Sequence, residues 1–514
     1  MNAPLRTLAP VLACLLLAAL APDPAAGQRR RRPTRRVNPT HERYKTQADQ
    51  AYRKGDYKRA VELTSAVIRE NRSDHVAYYL RGSARAELAL AARDAAEMRR
   101  AIADAREAIR LDDTRNAMYF LPYLYGMTNL TVIENRREHA KTAVAVAGQI
   151  LRVPTLKNED RANLYYQRGN TYLVLEDYDK AVADFQSAIK VAGKHLAAHL
   201  GMADAYSRAG QFDQAEARFD ATVKTFPDNP LVYNNRGMFL QQRGKLSRAI
   251  IDFTRALDLD KNYFYAYTNR GFSLLRQGNA AAAEADFTKS LAINKNQRAA
   301  YSLRATARMA QDNLKGALED NRAALALSMQ SPQSHADLGF TLFFSGKYEG
   351  ALASFDAALK LDKNQRQLGP WRFLVLETLG RKKEALRTFA DDIATPDKNR
   401  DWVKWLLGYL GGKVDEKALI AAVHQKDDRV RLAQLCEAHF FLAVRRQIAG
   451  DNAAARKHYR QALATKQQQL SAYQGARLAE RKLAGRSPAV KDAPAPDEPR
   501  SRKRLPAPAS KPGG

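Results

Sequence analysis

Tyr233-Asn234-Asn235-Arg236-Gly237 is followed 34 residues later by Tyr267-Thr268-Asn269-Arg270-Gly271, and preceded at twice that interval by Tyr165-Tyr166-Gln167-Arg168-Gly169. Counting outward at this period divides residues 162 to 399 into seven segments with no insertion or deletion. Position 20 of every segment is alanine: Ala181, Ala215, Ala249, Ala283, Ala317, Ala351 and Ala385. Position 24 is phenylalanine at Phe185, Phe219, Phe253, Phe287, Phe355 and Phe389, and only Asn321 departs from it.

Helix packing accounts for both columns. Residues four and seven apart share a helical face, so Ala249, Phe253 and Ala256 form one stripe on the second helix of their segment. Gly237 falls on the first helix. Where two helix axes approach to about 8–10 Å the crossing point takes only small side chains, and large ones fill the space beside it. Gly210, Gly244, Gly278, Gly346 and Gly380 lie between the helices, where a left-handed residue ends the first of them. The fold expected is all-α, a succession of helix-turn-helix units.

A 34-residue period with this alanine-phenylalanine second half and tyrosine-glycine first half resembles the tetratricopeptide repeat. The resemblance implies a solenoid, a right-handed superhelix in which each repeat buries its apolar face only against its neighbours. A chain of 514 residues is too long for one compact core, and such an array needs none.

Outside the array the chain changes character. Residues 1–27 read as an export signal: a basic start at Arg6, an apolar run from Leu8 to Ala21, and Ala25-Ala26-Gly27 before a cleavage point at Gln28. The run is short of the ~20 residues of a membrane span. An uncleaved anchor and a lipoprotein at Cys14 are the alternatives, the second weakened because apolar sequence continues past the cysteine. The expected location is the periplasm or cell envelope. With Cys14 in the leader, Cys436 has no partner for an internal disulfide and is expected to pack as a small apolar residue.

Residues 28–40 hold Arg29, Arg30, Arg31, Arg32, Arg35 and Arg36, a basic arm expected to be disordered and able to bind an anionic membrane surface or envelope polymer. Export would keep this arm away from nucleic acid. Of the formal net charge of +29, the arm's six and a surplus of four in the tail leave nineteen on residues 37–484. A basic solenoid suits an acidic partner, and equally serves solubility alone.

Residues 41–113 carry two further repeat-like units. Gly55, Asp56, Tyr57 and Ala60 keep the pattern in the first, and Tyr78 with Gly82 opens the second, but its crossing residue Ala101 comes seven residues late. Extra helical turns near Ala91 to Arg99 would explain the delay. Residues 114–161 are helical in pattern but irregular. A helical insert follows at 400–432, beginning Asp401-Trp402-Val403-Lys404-Trp405; a last repeat and a lone capping helix occupy 433–484; and 485–514 is a Pro/Ala/basic tail expected to be disordered.

Trp402, Trp405 and Leu406, followed by the Glu437-Ala438-His439-Phe440-Phe441-Leu442 segment, resemble the NlpI-type envelope repeat lipoproteins over residues 340–484. That resemblance implies an adaptor recruiting proteases or peptidoglycan hydrolases, with a homodimer as one option. Within tetratricopeptide repeats, positions 2, 5, 6, 9, 12 and 13 line the inner groove. By that resemblance a peptide-binding groove would use Tyr166, Asn234, Asn235, Asn269, Phe272, Phe340, Phe343 and Phe344. Side-chain amides can pair with both backbone groups of an extended peptide. Phe340, Phe343 and Phe344 cannot all face the packed side of one helix, so at least one is expected to line the groove as an apolar anchor.

Catalytic chemistry finds no motif. His195 and His199 are four apart, but the glutamate of a His-Glu-x-x-His zinc site is missing, and neither a phosphate-binding glycine loop nor a nucleophile turn is present. No metal, cofactor or catalytic residue is expected. An exported adaptor for envelope proteins leads, followed by arm-mediated surface binding and by an accessory subunit of an export or biogenesis machine.

Overall fold

The computed structural model describes residues 39–112, 116–394, 401–424, 426–467 and 470–485. The export signal, residues 28–38 of the arginine arm and the tail beyond Gly485 lie outside them, while Pro39 and Thr40, expected to be disordered with the arm, open the first helix. The chain divides into two compact units, residues 1–239 and 240–514. Among the described residues there is helix and turn, with no strand.

In the first unit, consecutive helices pair as hairpins: α1 (Pro39–Arg53) with α2 (Tyr57–Glu70), α3 (His75–Ala92) with α4 (Ala95–Leu111), α5 (Phe120–Glu134) with α6 (Arg137–Ile150), α7 (Asn158–Val174) with α8 (Tyr178–Val191), and α9 (Leu196–Arg208) with α10 (Phe212–Thr225). The division between units falls within α11 (Pro230–Gln242). The second unit continues with α12 (Leu246–Leu259), then the hairpins α13 (Phe264–Arg276) and α14 (Ala280–Ile293), α15 (Arg298–Ala310) and α16 (Leu314–Leu327), α17 (Pro332–Phe344) and α18 (Tyr348–Leu361). After these come α19 (Gly369–Thr378), α20 (Lys382–Thr388), α21 (Ala390–Ala394), α22 (Trp402–Leu410), α23 (Glu416–Ala421), α24 (Asp428–Ile448), α25 (Asn452–Ala464) and α26 (Ser471–Leu483).

Local chemistry sets the boundaries. Asp56, Asp177, Asn279 and Asn313 each accept a backbone N–H at the start of a second helix, satisfying one of its orphan donors. Gly210, Gly244, Gly278, Gly346 and Gly380 all have positive φ at the turn before it. The corresponding turns at Glu176 (φ 61°) and Asp312 (φ 65°) adopt the same conformation without glycine.

All seven column alanines are fully buried. A Cβ added at Gly169, Gly271 or Gly339 would lie 2.7, 2.9 or 2.6 Å from the ring of Phe185, Phe287 or Phe355, which is why these crossings take glycine. Asn321, the exception among the phenylalanines, is buried and donates to the Thr341 hydroxyl at 2.8 Å and the Asp337 carbonyl at 3.2 Å. The seventh segment keeps its alanine column but not its second helix, which stops at Thr388 and resumes as the five-residue α21.

A second pair of columns binds helix to helix. Arg168 donates to both oxygens of Asp184, Arg270 to Asp286 and Arg304 to Asp320, always across 16 residues and at 2.6–2.9 Å. Arg270 and Arg304 also donate backward, to Thr254 and Thr288 of the preceding repeat. One guanidinium thus joins both helices of its own hairpin to the hairpin before, a use that suits its forked donor geometry.

Candidate binding faces

In the first unit Tyr166 lies on α7 with its ring centroid 5.9 Å from Phe185 and 5.3 Å from His195. His195 Nδ1 accepts from the Ala198 backbone at the start of α9, and its Nε2 meets Asn163 Oδ1 at 3.1 Å. His199 Nε2 bonds the Gly193 carbonyl. Both histidines therefore serve the fold. Among the described residues no three His, Cys, Asp or Glu side chains cluster as metal ligands.

On α11, Asn234 is buried with its amide toward the Met238 sulfur at 3.5 Å, while half-buried Asn235 donates to the Leu231 carbonyl one turn back. Leu231, Asn235 and Met238 share a helical face, and Leu231 and Met238 are exposed on it.

The first unit also groups several tyrosines. Tyr52 packs edge-on against Tyr57 at 5.4 Å, and Tyr79 against Tyr119 at 5.3 Å. Burial, then the charge of Glu87, holds the Tyr125 hydroxyl above its ordinary range. Burial, reinforced by Glu87, pushes the Tyr52 hydroxyl up to about 12.

In the second unit Tyr265, Asn269 and Phe272 have the same spacing on α13 that Leu231, Asn235 and Met238 have on α11. Tyr265 is 58% exposed, its ring tilted by 34° against that of Phe264 with centroids 4.1 Å apart. Phe272 is half-buried with the Arg276 guanidinium 5.9 Å from its ring. Gln241 donates to the Asn269 backbone carbonyl, steadying this turn of the helix.

Phe340, Phe343 and Phe344 are brought together, but not as an open groove wall. All three rings pack edge-on against Trp371, at 5.0, 5.7 and 6.0 Å, and Trp371 in turn meets Phe440 and Phe441. Phe343 belongs to the core. Gly475 of α26 sits so close to Phe344 and Phe440 that an added Cβ would come within 2.6 Å of each ring. The expected apolar anchor is thus covered by the chain's own last helix, which does more than cap the end of the array.

In the tryptophan-bearing insert the Trp402 indole donates to the Glu437 carboxylate of the last repeat at 2.7 Å. Burial raises that carboxyl above the usual range. Two residues on, His439 and His458 bring their Nδ1 atoms to 3.3 Å, and Glu416 approaches His458 Nε2 at 3.3 Å. Burial, then the second imidazole, depresses His439 to about 4. Cys436 is fully buried, its thiol pushed up to about 11. No described helix is long and apolar enough to cross a membrane.

Successive hairpins tied by small-on-aromatic crossings and arginine bridges define an all-α repeat protein. Models of the tetratricopeptide repeat match residues 174–235, and again 231–263, 264–297 and 332–365. The chain carries tetratricopeptide repeats over these residues. It is 26% identical to anaphase-promoting complex subunit 3 of Schizosaccharomyces pombe over 24% of this chain and 18% of that protein. It is 25% identical to the mitochondrial import receptor subunit TOM70 of Saccharomyces cerevisiae over 20% and 17%. To the photosystem I assembly protein Ycf3 of Prochlorococcus marinus it is 27% identical over 24% and 78%. The first two matches span less than a fifth of those relatives. A solved tetratricopeptide repeat protein from Parabacteroides merdae is 21% identical, covering 52% of this chain and 98% of that one, with a TM-score of 0.35.

Proposed function

We propose that this protein is an exported adaptor that holds a segment of another cell-envelope protein. The observation that carries the binding role is the face of α13 on which Tyr265, Asn269 and Phe272 recur at positions 2, 6 and 9. On this face Tyr265 is 58% exposed, with Phe272 half-buried seven residues further along. Tyrosine is suited to contact, since it offers a rigid apolar body with a polar tip. The relatives named as an import receptor, an assembly protein and a complex subunit support a protein-binding scaffold over a catalyst. The export signal of residues 1–27 and the resemblance of residues 340–484 to envelope adaptors supply the location and the class of client, including proteases and peptidoglycan hydrolases.

The test is capture by residues 28–514 from envelope extract at low and high salt, beside a Tyr265→Ala/Asn269→Ala variant. Salt-resistant capture of a defined protein that the variant loses is the expected result. Equal recovery by both proteins would remove this face as the binding site.

A second reading is favoured by the six arginines between Arg29 and Arg36. The arm would then hold the protein on an anionic membrane leaflet or envelope polymer, an attraction that salt weakens. Deleting residues 28–40 separates the two, since an arm-driven association disappears while groove-driven capture survives. An accessory role in an export or biogenesis machine is a variant of the first reading, differing only in the client captured.

A further inference from the structure

α26 lies against helices that precede it by about 170 residues. Arg477 donates through Nη1 to the Ala310 carbonyl at 2.6 Å and through Nη2 to the Met309 carbonyl, the last acceptors of α15. Its Nη1 also lies 3.0 Å from Asp312 Oδ1, and Arg481 pairs with the other oxygen of Asp312. Gly475 meets Phe344 of α17 and Phe440 of α24, with Ala472 and Ala476 buried beside it.

Asp312 is the unusual partner. Like Glu176, it stands at the turn position that glycine fills at Gly210, Gly244, Gly278, Gly346 and Gly380, with a left-handed φ of 65°. A side chain there is strained where glycine is not. Nothing in the α15–α16 hairpin requires the carboxylate, since Asn313 caps α16. What the carboxylate does is hold the two arginines of α26.

The grip is an imperfect one. Arg477 is largely buried and its Nε has no hydrogen-bond partner, so a cation has left water without full compensation. Burial accordingly depresses the Arg477 pKa. The same α15 carbonyls, Asp312 carboxylate and Phe344 ring would accept any helix with the same side chains.

We propose that α26 is a reversible latch, and that the surface beneath it on α15, α17 and α24 binds a partner helix of the same chemistry: a glycine or alanine facing Phe344 and Phe440, with one arginine two residues on and a second four residues beyond that. This deepens the protein-binding reading above by naming the class of segment and the device that regulates access to it. The chain keeps the site filled until a competing basic helix displaces its own.

Two variants of the full chain test the latch. Asp312→Gly removes the carboxylate and supplies the residue that neighbouring turns use, so the α15–α16 hairpin stays intact while residues 471–483 exchange amide hydrogens about tenfold faster or more. Arg477→Ala/Arg481→Ala frees the surface but leaves it unaltered. A fluorescein-labelled peptide of residues 470–485 should bind this variant about tenfold tighter than the parent chain, because apparent affinity scales with the open fraction, and should not bind Asp312→Gly. Parent-like exchange of α26 in Asp312→Gly overturns the proposal whatever the double variant does. So does peptide binding by a folded double variant that is no tighter than the parent's. The peptide assay needs no external client, so failure to capture an envelope protein would remove the adaptor reading and leave the latch standing.

Discussion

Arg81 donates to both carboxylate oxygens of Asp104, at 2.9 and 2.7 Å, across 23 residues, whereas Arg168 and Asp184 make the same pair across 16. The seven-residue excess equals the delay of Ala101. Arg81 also reaches back to Ser65, 16 residues earlier, as Arg270 does to Thr254. The insertion therefore lies between the members of the pair, around the hairpin turn. There it lengthens α3 and α4 to 18 and 17 residues, against 13 and 14 in α13 and α14. Extra turns beyond the tie leave the crossing geometry unchanged.

If the ties are structural, removing one guanidinium should cost more than removing the whole pair. The side chain of Asp286 is 5% exposed, so Arg270→Ala strands a buried carboxylate and should cost about 3–5 kcal/mol, whereas Arg270→Met/Asp286→Leu should recover most of it. Equilibrium urea unfolding with exchange over α13 and α14 measures both. A double variant no better than Arg270→Ala would mean that the neighbouring bond to Thr254, and not the ion pair, dominates.

Glycines at helix crossings and elsewhere should respond oppositely to alanine. At Gly339 the new methyl would lie 2.6 Å from Phe355 and force repacking, costing about 1–3 kcal/mol. At Gly148 the nearest atom, Nη1 of Arg168, is 3.4 Å away, an ordinary van der Waals contact, and alanine should stabilise α6 by roughly 0.5–1 kcal/mol. Thermal melts of the two variants should move in opposite directions, and two downward shifts would refute the distinction.

The hairpins were legible because the period of the sequence is itself the packing rule: Ala283 and Phe287 recur where helices cross, and Gly271 makes room for the ring. The arginine ties were written just as plainly, in Arg before Gly at 168 and 270 and in Asp before Phe at 184 and 286, yet a charged pair leaves no apolar stripe to draw the eye. Phe340 and Phe344 are a different case. Their cover comes from Trp371 and Gly475, and no local pattern announces that a helix some 130 residues downstream will return to them. Asp312 combines both difficulties: its departure from the glycine column is visible, but its reason is Arg477.

Glu437 should make the protein less stable as pH rises. Burial lifts its carboxyl in the folded state, so its contribution is fully present below the unfolded value near 4.5 and is lost as pH rises through the folded value. Glu437→Gln keeps an acceptor for the Trp402 indole without the buried charge. Melting temperatures between pH 5 and 8 should fall for the parent and stay flatter for the variant. Parallel curves would show that the carboxyl titrates alike in both states.

The His439–His458 pair works in the opposite sense. Nδ1 atoms 3.3 Å apart share one proton, and burial of both rings disfavours a second. His439 is depressed from 6.5 to about 4, so the stability it contributes is complete above pH 6.5 and drains away as pH falls toward 4. Glu416 opposes the loss at His458, whose Nε2 lies 3.3 Å from its carboxylate. Over this interval the parent should lose on the order of 2 kcal/mol through the pair. His439→Phe preserves an aromatic ring beside His458 and removes one titrating group, so its unfolding free energy should be lower at pH 7.5 but fall less on acidification. The crossing of the two curves is the expected signature in urea titrations at pH 7.5, 6 and 4.5. A variant that tracks the parent at a constant offset would assign acid sensitivity in this region to other groups.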